Sequence, residues 1–226
     1  MATSGTVAYR PNIEEIIDEA FERCGLDTQT RTGGHAVSAR RSLNLLFTEW
    51  SNRGRNYWTV SYKTITLVAN QATYTLDAGL VDIIDVVYRK VSGSTSTDQV
   101  MNRVSISEYN QIPNKTDTGV SSQYMIDRQY TPTMTVWQVP DNATDSIRYY
   151  GVFQPEDVTA SNQDADIPYR WTDALCAGLA AKLAVKFAPE RAADLFALYE
   201  KCFQYASDEE GPSVHLRIKP TGMNLY

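Results

Sequence analysis

Apolar side chains at helical spacing open the chain. Ile13, Ile16, Ile17, Ala20, Phe21 and Cys24 share one face, with charged residues between them. Asn12 and Glu15 stand at capping-box spacing behind Pro11, and Gly25 is suited to the left-handed conformation that closes a helix. Asp27 to Gly34 reads as a polar loop with a Gly-Gly pair. From about His35 to Arg53 a second stripe follows, made by Ala36, Ala39, Leu43, Leu46, Phe47 and Trp50. Arg40, Arg41, Asn44 and Glu49 lie mainly off it, and Gly54 ends it. Two amphipathic helices joined by a short loop predict an antiparallel pair.

The period then changes. Thr64 to Leu67 and Tyr74 to Leu76 alternate, with turn residues at Asn70-Gln71 and Asp77-Ala78-Gly79. Val81 to Val91 is a longer β-rich run, and Ser92 to Thr97 reads as a flexible loop tip. Ser105 and Glu108 form a second capping box, which predicts a short helix stopping before Pro113. Tyr124 to Arg128, Met134 to Val139 and Ile147 to Phe153 read as strands. Pro140-Asp141-Asn142 is expected to turn the last two into a hairpin.

Helical spacing returns near Pro168. Leu175, Gly178, Leu179, Lys182, Leu183 and Lys186 mix with Ala174, Ala177, Ala181 and Ala184, small residues that let another helix approach closely. Pro189 suits the first turn of a further helix. Ala192, Leu195, Phe196, Tyr199, Cys202, Phe203 and Ala206 make its stripe, and Asp208 to Pro212 end it. Ser213 to Tyr226 alternates Val214, Leu216 and Ile218 with His215, Arg217 and Lys219 and carries no acidic side chain. Fully extended, that stretch reaches roughly 45 Å, enough to lie on a partner.

The fold class predicted is α+β. An antiparallel helix bundle is built from N-terminal and C-terminal helix pairs, with an inserted, mostly antiparallel β domain and an extended C-terminal tail. The expected limits are 1–59 for the first helix pair, 60–155 for the β-rich insertion, 156–210 for the second pair and 211–226 for the tail.

Composition narrows the function. The 226 residues carry 42% hydrophobic and 21% charged side chains, an ordinary globular balance that excludes a disordered chain or a coiled-coil rod. The 14 tyrosines point to half-buried sheets and interfaces. The formal charge of −6 opposes a protein that coats nucleic acid through its phosphates, yet suits one that lets DNA slide past. Cys24, Cys176 and Cys202 are odd in number and fall on predicted helices, so we expect buried thiols rather than a disulfide framework. The opening residues show no secretory signal. The most apolar stretch, Ala174 to Ala181, is too short to span a bilayer.

No catalytic constellation emerges. His35 stands at a helix start and His215 in the tail, neither in a triad context. There is no H-E-x-x-H, and no cysteine pair has zinc spacing. Gly33-Gly34 follows no strand and precedes no lysine, which opposes a phosphate loop. Glu14-Glu15 suit a helix N-terminus, whereas Asp208-Glu209-Glu210 oppose the dipole at a C-terminus and are expected to be solvated. Asp164 and Asp166 form a further carboxylate pair with nothing to mark it as catalytic. Arg40-Arg41 and Arg53-Gly54-Arg55 lie near Trp50, Tyr57 and Trp58. Such a set can stack single-stranded nucleic acid, but the acidic balance favours a solvated helix face over core tryptophans.

The run Arg41 to Val60 (RSLNLLFTEWSNRGRNYWTV), with the Ile13-Glu14-Glu15-Ile16-Ile17 helix, resembles the head-to-tail adaptors of short-tailed bacteriophages, also called tail accessory or connector proteins. Tyr74-Thr75-Leu76, Ser107-Glu108-Tyr109, Tyr124 to Arg128, Val136 to Pro140, Asp166 to Trp171 and Ala177 to Ala184 follow in the family's order, so the likeness covers about 12 to 206. It implies a non-enzymatic virion protein without cofactor, catalytic residue or bound metal. In such adaptors about twelve identical subunits form a ring. That ring lies beneath the portal protein and continues its DNA channel toward the tail. The implied partners are the portal, a downstream tail or nozzle protein and further copies of the chain. Double-stranded DNA passes without specific binding, and no membrane is involved. The helices are expected to build the ring, with the β insertion facing outward or toward tail parts. The implied place is the virion neck, assembled in the host bacterial cytoplasm. The tail is expected to meet the portal, with Val214, His215, Leu216, Arg217, Ile218, Lys219, Leu225 and Tyr226 as contact candidates. The alternatives are a tail-tube or gatekeeper ring of the same fold, a virion-associated cell-wall hydrolase using Asp or Glu, and a nucleic-acid-binding module.

Overall fold

The protein is described here by a computed structural model covering residues 5, 9–27, 31–54 and 57–210. It is mixed α+β, with helices at both ends of this span and two sheets between them.

Helix α1 (Ile13–Cys24) starts where Asn12 Oδ1 accepts from the Glu15 N–H and Glu15 Oε2 accepts from the Asn12 N–H, both at 2.9 Å. The two preceding helical N–H groups are satisfied from outside. Ile13 donates to the Gln163 carbonyl at 2.9 Å and Glu14 to that of Ser161 at 3.0 Å. Gly25 closes the helix at φ 77°. Helix α2 (Gly33–Arg53) begins two residues earlier than its apolar stripe suggests. Gly33 and Gly34 belong to its first turn, not to the loop, because the His35 ring folds back and its Nδ1 accepts from the Thr32 N–H at 3.3 Å. First-turn glycines forgo no intrahelical donor there.

Helix α4 (Thr172–Phe187) is the centre of the helical core. Ten of its residues, from Ala174 to Ala184, are buried, so it is covered on nearly every side. Helix α5 (Ala192–Glu210) follows a 3-10 turn at Pro189–Arg191. The buried faces of α1, α2, α4 and α5 join in one cluster. Gly178 marks a close approach within it, because a Cβ there would lie 2.8 Å from Leu46 Cδ2 and 2.9 Å from Tyr199 Cε2. The indoles add an aromatic layer. Trp171 stands 5.1 Å from Trp50, 4.8 Å from Trp58 and 5.3 Å from Phe203, between ring centroids.

Between the helices lie strands β1 (Val60–Thr66), β2 (Thr73–Thr75), β3 (Leu80–Ser92), β4 (Thr95–Val100) and β5 (Asn102–Arg103). The short helix α3 (Ile106–Gln111), capped by Ser105 and Glu108, stops before Pro113. It precedes β6 (Gln123–Asp127), β7 (Thr133–Trp137) and β8 (Ser146–Phe153). They form two four-stranded sheets, in the orders β1-β8-β3-β4 and β2-β7-β6-β5. Pairing is antiparallel except between β5 and β6. Their inner residues, among them Ile83, Val86, Tyr88, Ile147 and Tyr149 from one sheet and Tyr74, Tyr124, Met134 and Val136 from the other, form a second core.

Two expectations about this region are corrected. Ser92 to Thr97 is not all loop, since Thr95 to Thr97 pair with β3 around a tight turn at Gly93 (φ 60°). Nor do β7 and β8 form a hairpin, because they belong to different sheets. The segment after Pro140 crosses between the sheets and is pinned by Asp145. This buried carboxylate accepts from Tyr88 Oη and the Val91 N–H, each at 2.7 Å, and from Asn142 Nδ2 at 3.0 Å. Burial works against its charge, but these three hydrogen bonds and the nearby Lys90 outweigh it and hold the carboxyl below its usual range.

Two stability outcomes follow. Gly178→Val should cost about 1–3 kcal/mol by overpacking against Leu46 and Tyr199, checked by denaturant unfolding. Asp145→Ala should cost about 2 kcal/mol, because it orphans the buried Tyr88 hydroxyl and removes the acceptor of the part-buried Val91 N–H, checked the same way.

Candidate functional site

The tail residues nominated from sequence, Val214, His215, Leu216, Arg217, Ile218, Lys219, Leu225 and Tyr226, lie outside the described residues. What the structure places is the polar network that ties α5 to the other helices, and the surface around it.

Glu49 is the hub of that network. Its carboxylate accepts from Lys182 Nζ at 2.7 Å, Arg53 Nη2 at 2.8 Å and Tyr199 Oη at 2.9 Å, while Tyr199 accepts from Trp50 Nε1 at 2.9 Å. Arg53 also pairs with Glu200 at 2.6 Å and lies over the Phe203 ring. Helices α2, α4 and α5 are thus tied through one half-buried carboxylate. Burial opposes the Glu49 charge, but the hydrogen bonds from Lys182 and Tyr199 and the charges of Lys182 and Arg53 prevail, lowering its pKa. Burial, followed by the adjacent Glu49 carboxylate, raises that of Tyr199. A second link joins α1, α4 and α5. Arg23 bridges Glu19 at 2.7 Å and Asp173 at 2.8 Å, and Asp173 accepts from the Cys202 thiol at 3.1 Å.

These arrangements tie the helices to one another. Burial, with the neighbouring Asp173 in the second case, pushes the Cys176 and Cys202 thiols up to about 11, so neither is a thiolate at neutral pH. Cys24 is buried and donates to the Ala180 carbonyl at 3.3 Å, and none of the three thiols is in a disulfide. Among the described residues no group of three His, Cys, Asp or Glu is placed to hold a metal ion. Among the described residues, which leave out the Tyr57 side chain, the Arg-and-aromatic set offers no stacking platform. Trp50 is fully buried, Trp58 packs against it, Arg53 is held by two carboxylates and Arg40 donates to the Thr159 carbonyl at 2.9 Å. Arg55 lies outside the described residues. No described helix is long and apolar enough to cross a membrane.

Two surface features were not singled out from sequence. An open groove of about 580 Å3 lies between α1 and the start of α4, with carboxylates dominating its lining. Acids on the polar side of α1, at Glu15, Asp18, Glu19 and Glu22, were its sequence signal. The second is β4, which pairs with β3 through the bidentate Arg89–Asp98 contact, both bonds 2.6 Å, yet is exposed along its length.

Because the Glu49 pKa is lowered on folding, its contribution to stability is present above the ordinary carboxylate pKa, near 4, and is lost as pH falls through the lower folded value. Glu49→Gln should therefore cost about 2 kcal/mol at pH 7 and flatten the fall of Tm below about pH 4, measured by thermal scans across pH.

Comparison with known families gives one finding that spans both cores: the model of the family described as SU10 adaptor protein matches residues 11–217. A comparison with curated proteins gives no match.

Proposed function

The chain belongs to the SU10 adaptor protein family, a phage head-to-tail adaptor family. From that membership we propose that it forms a ring of about twelve copies beneath the portal, extends the DNA channel and joins capsid to tail. The observation that carries this reading is the extent of the match, which takes in both the helical core and the two sheets. As a phage adaptor it is a virion component that works with portal and tail components; we place its assembly in the host bacterial cytoplasm.

In this reading residues 1–59 and 156–210 together make one antiparallel bundle that builds the ring. Residues 60–155 form an inserted β domain directed outward or toward the next tail or nozzle protein. Residues 211–226 reach the portal, with Val214 to Lys219, Leu225 and Tyr226 as contacts. The protein acts as a structural connector without catalysis or cofactor. Its formal −6 per copy, repeated around a channel, repels DNA phosphates and keeps the passage from trapping its cargo.

Mixing the purified protein with portal rings of the same phage tests the reading by sedimentation and negative-stain imaging. Saturable addition of a ring of subunits to one end of the portal is expected. A folded protein that leaves an intact portal bare would overturn it. Deleting residues 213–226 should leave the thermal transition unchanged and abolish attachment. Wild-type attachment by the truncated chain would remove the tail from the contact.

A further inference from the structure

The helical part carries two faces of opposite character. On the first, the groove between α1 and α4 is lined by Glu15, Asp18, Glu19, Glu22 and Asp173. Arg23 pairs with Glu19 and Asp173 and Arg31 with Asp18, which among the described residues leaves Glu22 without a cation and the groove acidic. Tyr9 and Tyr169 flank it with 78% and 73% of their surfaces exposed.

The second face is the seam of α2 and α4. Lys182 reaches across it to Glu49 at 2.7 Å. Lys186 reaches Ser42 Oγ at 2.6 Å and Ser38 Oγ at 3.1 Å. Along this seam the helices expose Leu45 and Val185, at 57% and 60%. Val37, Arg41 and Leu45 are exposed one turn apart, so they make a single stripe on α2. Burial, and after it the charges of Arg41 and Lys182, lower the Lys186 pKa, which marks a crowding of cations. The seam's own carboxylate, Glu49, is already engaged by Lys182, Arg53 and Tyr199.

The two faces point apart. Cys176 lines the groove and Val185 lies on the seam, nine positions along the same helix. At about 100° per residue that separation places them half a turn out of phase. Like faces of two copies would therefore meet with like charge, and unlike faces with opposite charge. Such a molecule favours head-to-tail contact over a two-fold dimer, and head-to-tail contacts close into rings when the rotation suits.

Resting on the ring reading above, we propose that the acidic α1–α4 groove of one copy receives the Val37–Arg41–Leu45 stripe of the next. Arg41 meets groove carboxylates, with Glu22 as an exposed partner, while Val37 and Leu45 leave water against the flanking tyrosines. The occupant of the groove is thus a second copy of this chain.

The test reverses charges on opposite sides of the subunit. Arg41→Glu and Glu22→Arg both change exposed side chains, and each should leave the circular dichroism spectrum and Tm as in the wild type. Assembly is read by sedimentation velocity and negative stain, for the protein alone and on portal rings. Each single reversal should raise the concentration needed for rings about tenfold. The double variant R41E/E22R should recover assembly, because opposite charges again face each other between copies. Wild-type rings that neither single reversal weakens, or a double variant no better than the singles, would overturn this pairing of faces and leave the ring reading standing. A wild-type protein that forms no ring in either setting would overturn the ring reading, and this proposal with it.

Discussion

The closeness with which three helices approach α4 governs the helical half of the molecule. An α-helix with Leu or Phe on every side would hold its neighbours away. Here Ala174, Ala177, Ala180, Ala181 and Ala184 are buried around the barrel, and Gly178 admits Leu46 and Tyr199 almost to the backbone. Packing at that distance sets large aromatic side chains around α4, with Trp50 of α2, Trp171 of the 3-10 turn before α4 and Phe203 of α5 interlocking. It also brings polar groups of α2, α4 and α5 within reach of one carboxylate. The Glu49 hub is therefore a consequence of the small residues on α4, not an independent device. A wider spacing would leave Lys182 and Tyr199 short of it.

The same closeness shapes the outside. Arg23 is taken up by Glu19 and Asp173 and Arg31 by Asp18 and Glu14, so the carboxylates of α1 outnumber the cations beside them. The cations that remain crowded, Arg41 with Lys186 beside it, sit on another side of the helical core. A modest net charge of −6 is thus distributed unevenly. Net charge alone argues only for weak attraction to DNA. In the pairing of faces proposed above, this uneven distribution is what lets one copy recognise the orientation of another.

Much of the fold was legible because its signals are local. Asn12 with Glu15, Ser105 with Glu108, Gly25 and Gly54 mark ends where the structure has ends, since caps depend on residues three positions apart. The alternation at Met134 to Val136 and Ile147 to Tyr149 likewise marks strands. The pairing of those strands was not legible. Pro140-Asp141-Asn142 has hairpin composition, but which sheet receives β8 is decided by Tyr88 and Val91, more than fifty residues away, through the buried Asp145. β4 was missed because Thr95 to Gln99 is polar and exposed, and its strand character comes from pairing with β3 alone. The Glu49 hub was half legible. Its spacing to Arg53 shows in the sequence, whereas Lys182 and Tyr199 arrive only through tertiary packing. The groove was hidden for the same reason, as its second wall comes from Thr172 to Cys176.

The connection from the sheets back to the helices adds a further constraint. Residues 154–168 contain no helix or strand, yet they are strapped to both N-terminal helices. Asn44 holds Val158 from both sides, its Nδ2 donating to the carbonyl at 3.2 Å and its Oδ1 accepting from the N–H at 2.9 Å. Arg40 grips the Thr159 carbonyl, and the carbonyls of Ser161 and Gln163 take the first free N–H groups of α1. The strap therefore completes a helix N-terminus that would otherwise depend on water, and in return the helix fixes where the chain leaves the second core. Two separate hydrophobic cores joined by such a strap can differ in what they meet without disturbing each other's packing. In the ring reading proposed above, that lets the contact made by the sheets change while the helical surfaces that meet other copies stay the same.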